Sequence, residues 1–273
     1  MKFLNNLLEI NEYNNVSISG LTTQLIPFCL EKVQQLSKKD ILIVTNSLYE
    51  ANVLFSSMIK VNKNTLLFPM DDFLTSEALA SSPELKASRI NTLESLSMNN
   101  FDQGRIVITN LMGFLRYLPS KEIWQKNNIK IRKTIEISKE YLYEKLINMG
   151  YESESLVTKT GEIANRGYII DVFPIALDKP IRIEFWGDEI ESIRYFDVDS
   201  QRSLEEIDEF VISPFSEFII EKDIEGIEHK QEYLPLVMEK ISNLKSYLDN
   251  PIIVYKDYNQ LVNSYKKLQE EIY

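Results

Sequence analysis

The sequence predicts an α/β protein in which a parallel-sheet domain is interrupted by an inserted α+β module. Up to about residue 127, short β-branched apolar runs alternate with segments of helical periodicity, which is typical of a mostly parallel sheet with helices on both faces. Period-two patterns and hairpin signals then take over. After residue 213 a strand and a helix of the earlier type return. We therefore predict one domain from residues 1–127 and 214–273, and an inserted domain at 128–213.

The elements of the first domain follow from its apolar patterns. Strands are predicted where apolar runs are flanked by polar residues, at 41–45, 65–68, 105–109 and 251–255. Helices are predicted where apolar residues recur three and four positions apart, at 22–36, 47–60, 83–96, 234–248 and from 258 to the end. Pro83 suits the first turn of its helix.

The inserted module is predicted to be an antiparallel α+β unit. Residues 129–137 alternate apolar and polar side chains, as a strand with one solvated face does. Ser138 then caps a helix that Gly150 closes. Strands follow at 168–173, 181–186 and 189–196, and the two-residue Gly187-Asp188 link between the last two suits a type II′ hairpin turn.

Composition narrows the classes of function and location. The chain carries 41 acidic and 30 basic residues, and this formal charge of -11 argues against non-specific attraction to nucleic acid. A single cysteine, Cys29, allows no internal disulfide, which favours a reducing compartment. The sequence also contains no apolar run long enough for a membrane span or a signal peptide, so we expect a cytoplasmic location and no membrane partner.

A nucleotide site is not expected at the first strand-to-helix loop. A phosphate-binding loop needs the pattern G-x-x-x-x-G-K-[ST], because glycine amides cradle the phosphates and the lysine meets their oxygens. Residues 16–23 contain one glycine, Gly20, and no lysine follows it. Other residues whose side chains could take part in catalysis or metal binding are interpreted as structural: Asp71-Asp72, Glu205-Glu206, Asp208-Glu209, His229 and Cys29.

The densest unusual cluster is Arg166, Arg182 and Trp186. Strand alternation places Arg182 and Trp186 on one sheet face, opposite Ile183 and Phe185. Arginine and tryptophan are over-represented in protein-binding hot spots, so this face is a candidate interface. An intramolecular contact of Arg182 over Trp186 is an equally weighted alternative.

Three stretches of the inserted module carry a resemblance to a known family. Residues 161–174, 181–194 and 196–204 resemble the N-terminal region of the bacterial transcription-repair coupling factor family, and residues 68–93 resemble it as well. The same region is similar to the excision-repair helicase UvrB, whose matching module binds the damage-recognition ATPase UvrA.

The resemblance implies a degenerate RecA-like domain at 1–127 and 214–273, and a UvrA-binding domain at 128–213. It places UvrA contacts on Arg166, Arg182 and the aromatic Trp186, where we expect the arginines to pair with carboxylates of the partner. The implied function of this N-terminal fragment is recruitment of UvrA to stalled transcription complexes, with no catalysis and no cofactor.

In the family protein, ATP, magnesium, RNA polymerase and DNA are bound by other domains. Two alternatives to the recruitment function remain open. One is a nucleotide-dependent helicase domain of the UvrB kind, and the other is an uncharacterised α/β enzyme.

Overall fold

A computed structural model describes residues 15–72, 82–98, 104–219 and 241–272. The chain divides into two units. The first unit comprises residues 1–92, 98–116 and 244–273, and the second comprises 93–97 and 117–243. The second unit begins earlier and ends later than the predicted insert at 128–213, because strand residues 118–119 pair with 241–242. The exact domain boundaries stay a prediction.

The first unit contains a four-stranded, fully parallel sheet. Its strands are Ile41–Thr45 (β1), Thr65–Phe68 (β2), Ile106–Asn110 (β3) and Ile252–Tyr255 (β14). They lie in the order β14, β1, β3, β2. The helices of this unit are Ile26–Ser37 (α1), Leu48–Met58 (α2), Pro83–Ser97 (α3, whose last turns belong to the second unit), Leu111–Leu115 (α4) and Tyr258–Ile272 (α7). The predicted α/β fold is confirmed.

The sheet of the first unit is covered by helices on both faces. Every residue of β1 and β3 is buried. Ile43 packs into a cluster with Leu30 of α1 and Leu54 of α2. Its neighbour Val44 points to the other face and packs with Leu111 of α4 and Leu261 of α7. Because both faces are covered, these strands read as continuous apolar runs in the sequence.

The second unit contains a six-stranded, mostly antiparallel sheet. Its strands are Glu152–Ser153 (β6), Glu162–Arg166 (β7), Ile169–Val172 (β8), Ile181–Trp186 (β9), Glu189–Phe196 (β10) and Ser203–Glu206 (β11). They follow their chain order across the sheet, and only the pair β6–β7 is parallel. Two smaller sheets pair Ile129–Arg132 (β5) with Glu209–Ile212 (β12), and Leu118–Pro119 (β4) with Ile241–Ser242 (β13). Helices Lys121–Lys126 (α5) and Lys139–Asn148 (α6) complete the unit.

The helix-capping and turn residues that the sequence predicts for the second unit are confirmed. The Ser138 hydroxyl accepts a hydrogen bond from the Tyr141 amide and so caps α6. Gly150 follows this helix with a φ of 93°, a left-handed conformation that suits glycine. Gly187 has a φ of 61° in the two-residue turn between β9 and β10, as a type II′ turn requires of its first central residue.

Two predicted elements differ from the structure. Of the helix predicted at 234–248, residues 234–240 lie outside the described residues; in the remainder, Ile241–Ser242 form strand β13 and Leu244–Tyr247 form a 3-10 helix. Buried residues three positions apart, Leu244 and Tyr247, satisfy a 3-10 repeat as well as an α-helical one. The predicted strand at 129–137 ends at Arg132, because the chain turns at Thr134 with a φ of 64°.

Candidate protein-binding face

Strands β7, β8 and β9 bring the three predicted site residues onto one sheet face. Arg166 lies opposite Ile169 across β7 and β8, and Ile169 lies opposite Glu184 across β8 and β9. Since directly opposed residues share a face, Arg166 lies on the side of Glu184, and alternation along β9 adds Arg182 and Trp186. The sheet face formed by Arg166, Asp171, Arg182, Glu184 and Trp186 is called the Arg-Trp face below.

The opposite sheet face forms core. Ile183 and Phe185 alternate with the residues of the Arg-Trp face along β9 and are 0% and 3% exposed. Ile170 and Ile193, which flank Ile183 on the neighbouring strands, are also buried. This confirms the predicted alternation of β9, with one face packed and the other carrying polar and aromatic groups.

A buried carboxylate, Asp171, joins the two arginines. Asp171 is fully buried and lies directly opposite Arg182. Arg182 donates from Nε to Asp171 Oδ1 at 2.8 Å and from Nη2 to Oδ2 at 2.9 Å, which is the bidentate geometry of a strong ion pair. Arg166 donates from its own Nη2 to the same Oδ2. One carboxylate therefore holds two guanidinium groups.

Arg182 is largely enclosed by the protein's own groups. Its Nη1 donates to the Gln201 carbonyl at 3.2 Å and to Ser203 Oγ at 3.3 Å. Its guanidinium lies 4.7 Å from the centroid of the Phe196 ring, and Phe196 is fully buried. The hydrogen bonds to Asp171 raise the pKa of Arg182 above its ordinary value. The side chain is 11% exposed, so this arginine is part of the structure of the module.

Arg166 differs from Arg182 in exposure and in the use of its donors. Its side chain is 38% exposed. Its Nε is buried and has no acceptor among the described residues. The bond from Nη2 to Asp171 fixes the position of the guanidinium and leaves other donors of the group unused.

Trp186 is an exposed aromatic residue at the end of a hairpin. It is the last residue of β9, pairs with Glu189 and is 77% exposed. The sequence left open a cation-π contact of Arg182 over Trp186, but the ring beneath Arg182 is Phe196. Trp186 is therefore exposed to solvent on the sheet face that carries the arginines.

A second aromatic residue lies at the same end of the sheet. Tyr168 occupies the tight turn between β7 and β8 and is 63% exposed. Its carbonyl accepts a hydrogen bond from the Phe185 amide at 2.9 Å, which ties this turn to the end of β9. Lys139 of α6 donates from Nζ to the Gly167 carbonyl at 2.6 Å and adds a positive charge near the turn.

Sequence reasoning missed Asp171, Phe196 and Tyr168 as parts of this region. Asp171 offers one usable signal, because an acidic residue between Ile170 and Val172 in an apolar strand needs a cationic partner when it is buried. The partners themselves lie five and eleven residues away in the sequence. Only the strand register identifies them.

The other chemically suggestive groups take structural roles. Asp72 accepts hydrogen bonds from the Leu48 amide at the start of α2 and from Asn110 Nδ2, both at 2.8 Å. Glu206 pairs with Lys133, and Cys29 lies buried on α1, where burial raises the pKa of its thiol. These contacts agree with a structural interpretation of Asp72, Glu206 and Cys29, which stays a prediction, and His229 lies outside the described residues.

The loop before α1 does not fit a phosphate group. Residues 15–25 form neither strand nor helix, and Gly20 has a φ of 79° with no heavy atom within 4 Å of an added Cβ. A phosphate cradle would instead bring several backbone amides together around a bound group. In the four described ranges, no group of three potential metal ligands occurs and no helix is long and apolar enough to cross a membrane.

Comparison with known proteins agrees with the resemblance inferred from the sequence. Residues 129–218 match the family described as the UvrB interaction domain. The transcription-repair-coupling factor of Staphylococcus aureus strain bovine RF122 is 35% identical over 257 residues, covering 92% of this chain and 21% of that protein. The same factor of Staphylococcus aureus strain MRSA252 gives the same identity and shares. That of Staphylococcus haemolyticus is 32% identical, covering 83% of this chain and 19% of that protein.

The matches cover nearly all of this chain, which spans about a fifth of the length of the curated relatives. The resemblance to transcription-repair-coupling factors is thereby confirmed. The Arg-Trp face lies entirely within the part that matches the UvrB interaction domain.

Proposed function

We propose that this chain, which contains a UvrB interaction domain at residues 129–218, recruits UvrA through the Arg-Trp face. The protein would thereby bring the excision-repair machinery to stalled transcription complexes. The observation that carries the proposal is the exposure of Trp186, which is 77% solvent-accessible at the end of β9 on the same sheet face as Arg166. In support, the relatives that match most of the chain are named transcription-repair-coupling factors.

The chemistry of the face favours a protein partner with an acidic group. A tryptophan side chain exposed to water gains free energy when a partner buries it, and tryptophan is enriched in binding hot spots. On the same face, the Arg166 side chain is 38% exposed and uses one donor on Asp171, so its guanidinium can present a positive charge to a partner. The acidic Glu184 of this face is held by Ser192 Oγ and Arg194. A partner pocket with an apolar wall and a carboxylate at its rim would match both features.

Recruitment is favoured over the two enzymatic alternatives. A UvrB-type helicase domain needs a phosphate loop, and residues 16–23 offer one glycine and no lysine. An α/β enzyme needs a cleft with convergent polar groups. Two cavities of the first unit, of about 230 and 200 Å³, are smaller than the ~300 Å³ at which typical ligand pockets begin. The larger is lined by apolar and tyrosine side chains, whereas the smaller includes the polar residues Asn46, Asp72 and Lys267, so size is the argument against both.

We propose that contacts with RNA polymerase and DNA are made by other parts of a coupling factor. The matched region spans about a fifth of the curated relatives, so most of their length lies outside it. The proposed role of the present residues is the contact with UvrA alone.

The test is the affinity of the Trp186→Ala variant for UvrA. We expect the dissociation constant to rise about tenfold or more, because the variant removes the apolar anchor. The melting temperature should stay unchanged, since the side chain is mostly exposed. Tyr49→Ala is the matched control, because Tyr49 is 76% exposed but belongs to the first unit. Unchanged affinity in both Trp186→Ala and Arg166→Ala would overturn the proposed function.

A further inference from the structure

We infer that the two arginines of the Arg-Trp face have different roles, such that Arg166 binds a carboxylate of the partner and Arg182 is a positioning residue. The inference rests on the proposed function. It adds that the partner supplies a single carboxylate to this face, whereas the sequence led us to expect both arginines to pair with the partner.

The donors of Arg182 are already used within the protein. A guanidinium has five N–H donors. Four hydrogen bonds leave this side chain, two to Asp171, one to the Gln201 carbonyl and one to Ser203 Oγ. The Phe196 ring covers one face of the group. A carboxylate of the partner would have to displace these bonds before it could pair with Arg182, which makes a direct contact unfavourable.

Arg166 keeps Nη donors that no described residue accepts, although its Nε is buried. Its single hydrogen bond within the described residues joins Nη2 to Asp171 Oδ2. The side chain is 38% exposed against 11% for Arg182. Arg166 can therefore donate hydrogen bonds to a partner carboxylate while it keeps its bond to Asp171.

Asp171 couples the two arginines. Its Oδ2 accepts from both guanidinium groups, and the bidentate grip of Arg182 holds the buried carboxylate in place. Loss of that grip would leave a buried charge with Arg166 as its remaining partner. Arg166 would then be drawn toward Asp171 and away from the surface. Because Arg182 pairs with most of the Asp171 carboxylate, Arg166 stays available to the partner. Arg182 thus supports binding indirectly.

A double-mutant cycle on UvrA affinity tests this division. Arg182→Lys keeps the positive charge but loses the bidentate fork. We expect it to weaken UvrA binding about tenfold in the wild-type background and less than twofold in the Arg166→Ala background, because it acts through Arg166. Equal fold-losses in both backgrounds would mean that Arg182 contacts the partner itself and would overturn the inference. No loss in the wild-type background would overturn it too.

Controls separate this inference from folding and from the proposed function. Arg132→Lys, at an exposed arginine of β5, should change neither stability nor affinity. If Arg182→Lys fails to fold, Ser203→Ala replaces it in the double-mutant cycle, because it removes one hydrogen-bond acceptor of Arg182. We expect a smaller loss of UvrA affinity in the wild-type background and again a lesser loss in the Arg166→Ala background. The proposed function fails if Trp186→Ala and Arg166→Ala both leave affinity unchanged. By contrast, equal losses of UvrA affinity for Arg182→Lys in the two backgrounds would contradict the separate roles of Arg166 and Arg182, even though the wild-type protein binds UvrA.

Discussion

The carboxylate of Glu162 stabilises the turn that leads into β7. Its Oε2 accepts hydrogen bonds from the Thr158 amide at 2.7 Å, from Thr158 Oγ1 at 3.0 Å and from the Lys159 amide at 2.8 Å. Burial alone would raise the pKa of Glu162, but these bonds and the charge of Lys159 outweigh it and lower the pKa below 4.5. The ionised form is therefore the one that the folded protein favours.

The variant Glu162→Gln should be less stable than the wild type at pH 7 by about 1–3 kcal/mol, because a buried acceptor loses its charge and one oxygen. A carboxyl whose pKa is depressed on folding contributes stability above its unfolded pKa, and this contribution is lost as the pH falls through the folded pKa. The difference between wild type and variant should accordingly narrow as the pH falls below 4.5.

Urea unfolding at pH 7 and at acidic pH measures this difference. Glu154→Gln is the control, since Glu154 is an exposed glutamate nearby and should change stability by less than about 0.5 kcal/mol at either pH. A stability gap of the same size at both pH values would contradict the role given to the Glu162 charge.

At the level of elements, patterns within one segment were sufficient for most of the fold. Strand Ile41–Thr45 was predicted with its exact bounds because a buried strand in a parallel sheet is a short continuous apolar run. Alternation along β9 placed Arg182 and Trp186 on one face and Ile183 in the core. Each of these features depends on the local period of the chain alone.

Features that depend on pairing between segments could not be predicted. The grip of Asp171 on Arg166 and Arg182 follows from the register of three strands, which no single segment encodes. Likewise, Ile241 and Ser242 form a strand because Leu118 and Pro119 lie beside them. Long-range pairing overrides local propensity at such positions.

The segment before α1 should not bind ATP. Residues 15–25 present a single glycine and no lysine, and the described chain forms no strand that leads into the helix there. Without a cradle of amides and a lysine, the phosphates of ATP would lack the groups that bind them in P-loop proteins. Calorimetry with Mg-ATP should therefore give no binding heat up to about 1 mM, the upper end of typical KM values. A micromolar dissociation constant with one-site stoichiometry would contradict this expectation.

At the scale of the whole molecule, the negative charge is concentrated in the module that carries the Arg-Trp face. Residues 128–213 contain 18 acidic and 11 basic residues, whereas residues 1–127 contain 12 of each. Several of these basic residues are already paired, as Lys130 is with Glu209 and Lys133 with Glu206. The exposed guanidinium of Arg166 on the Arg-Trp face thus lies within an acidic surrounding, which favours a specific protein partner over a polyanion.

We therefore expect the isolated chain to bind duplex DNA weakly, with a dissociation constant above about 10 µM at physiological salt. Affinity for DNA comes mainly from the release of counterions by lysine and arginine, and a net charge of -11 opposes the approach of the phosphates. Fluorescence anisotropy with a labelled duplex measures this affinity, and a cooperative melting transition of the same sample shows that the protein is folded. Nanomolar affinity that falls steeply with salt would instead reveal a basic surface that the overall charge conceals.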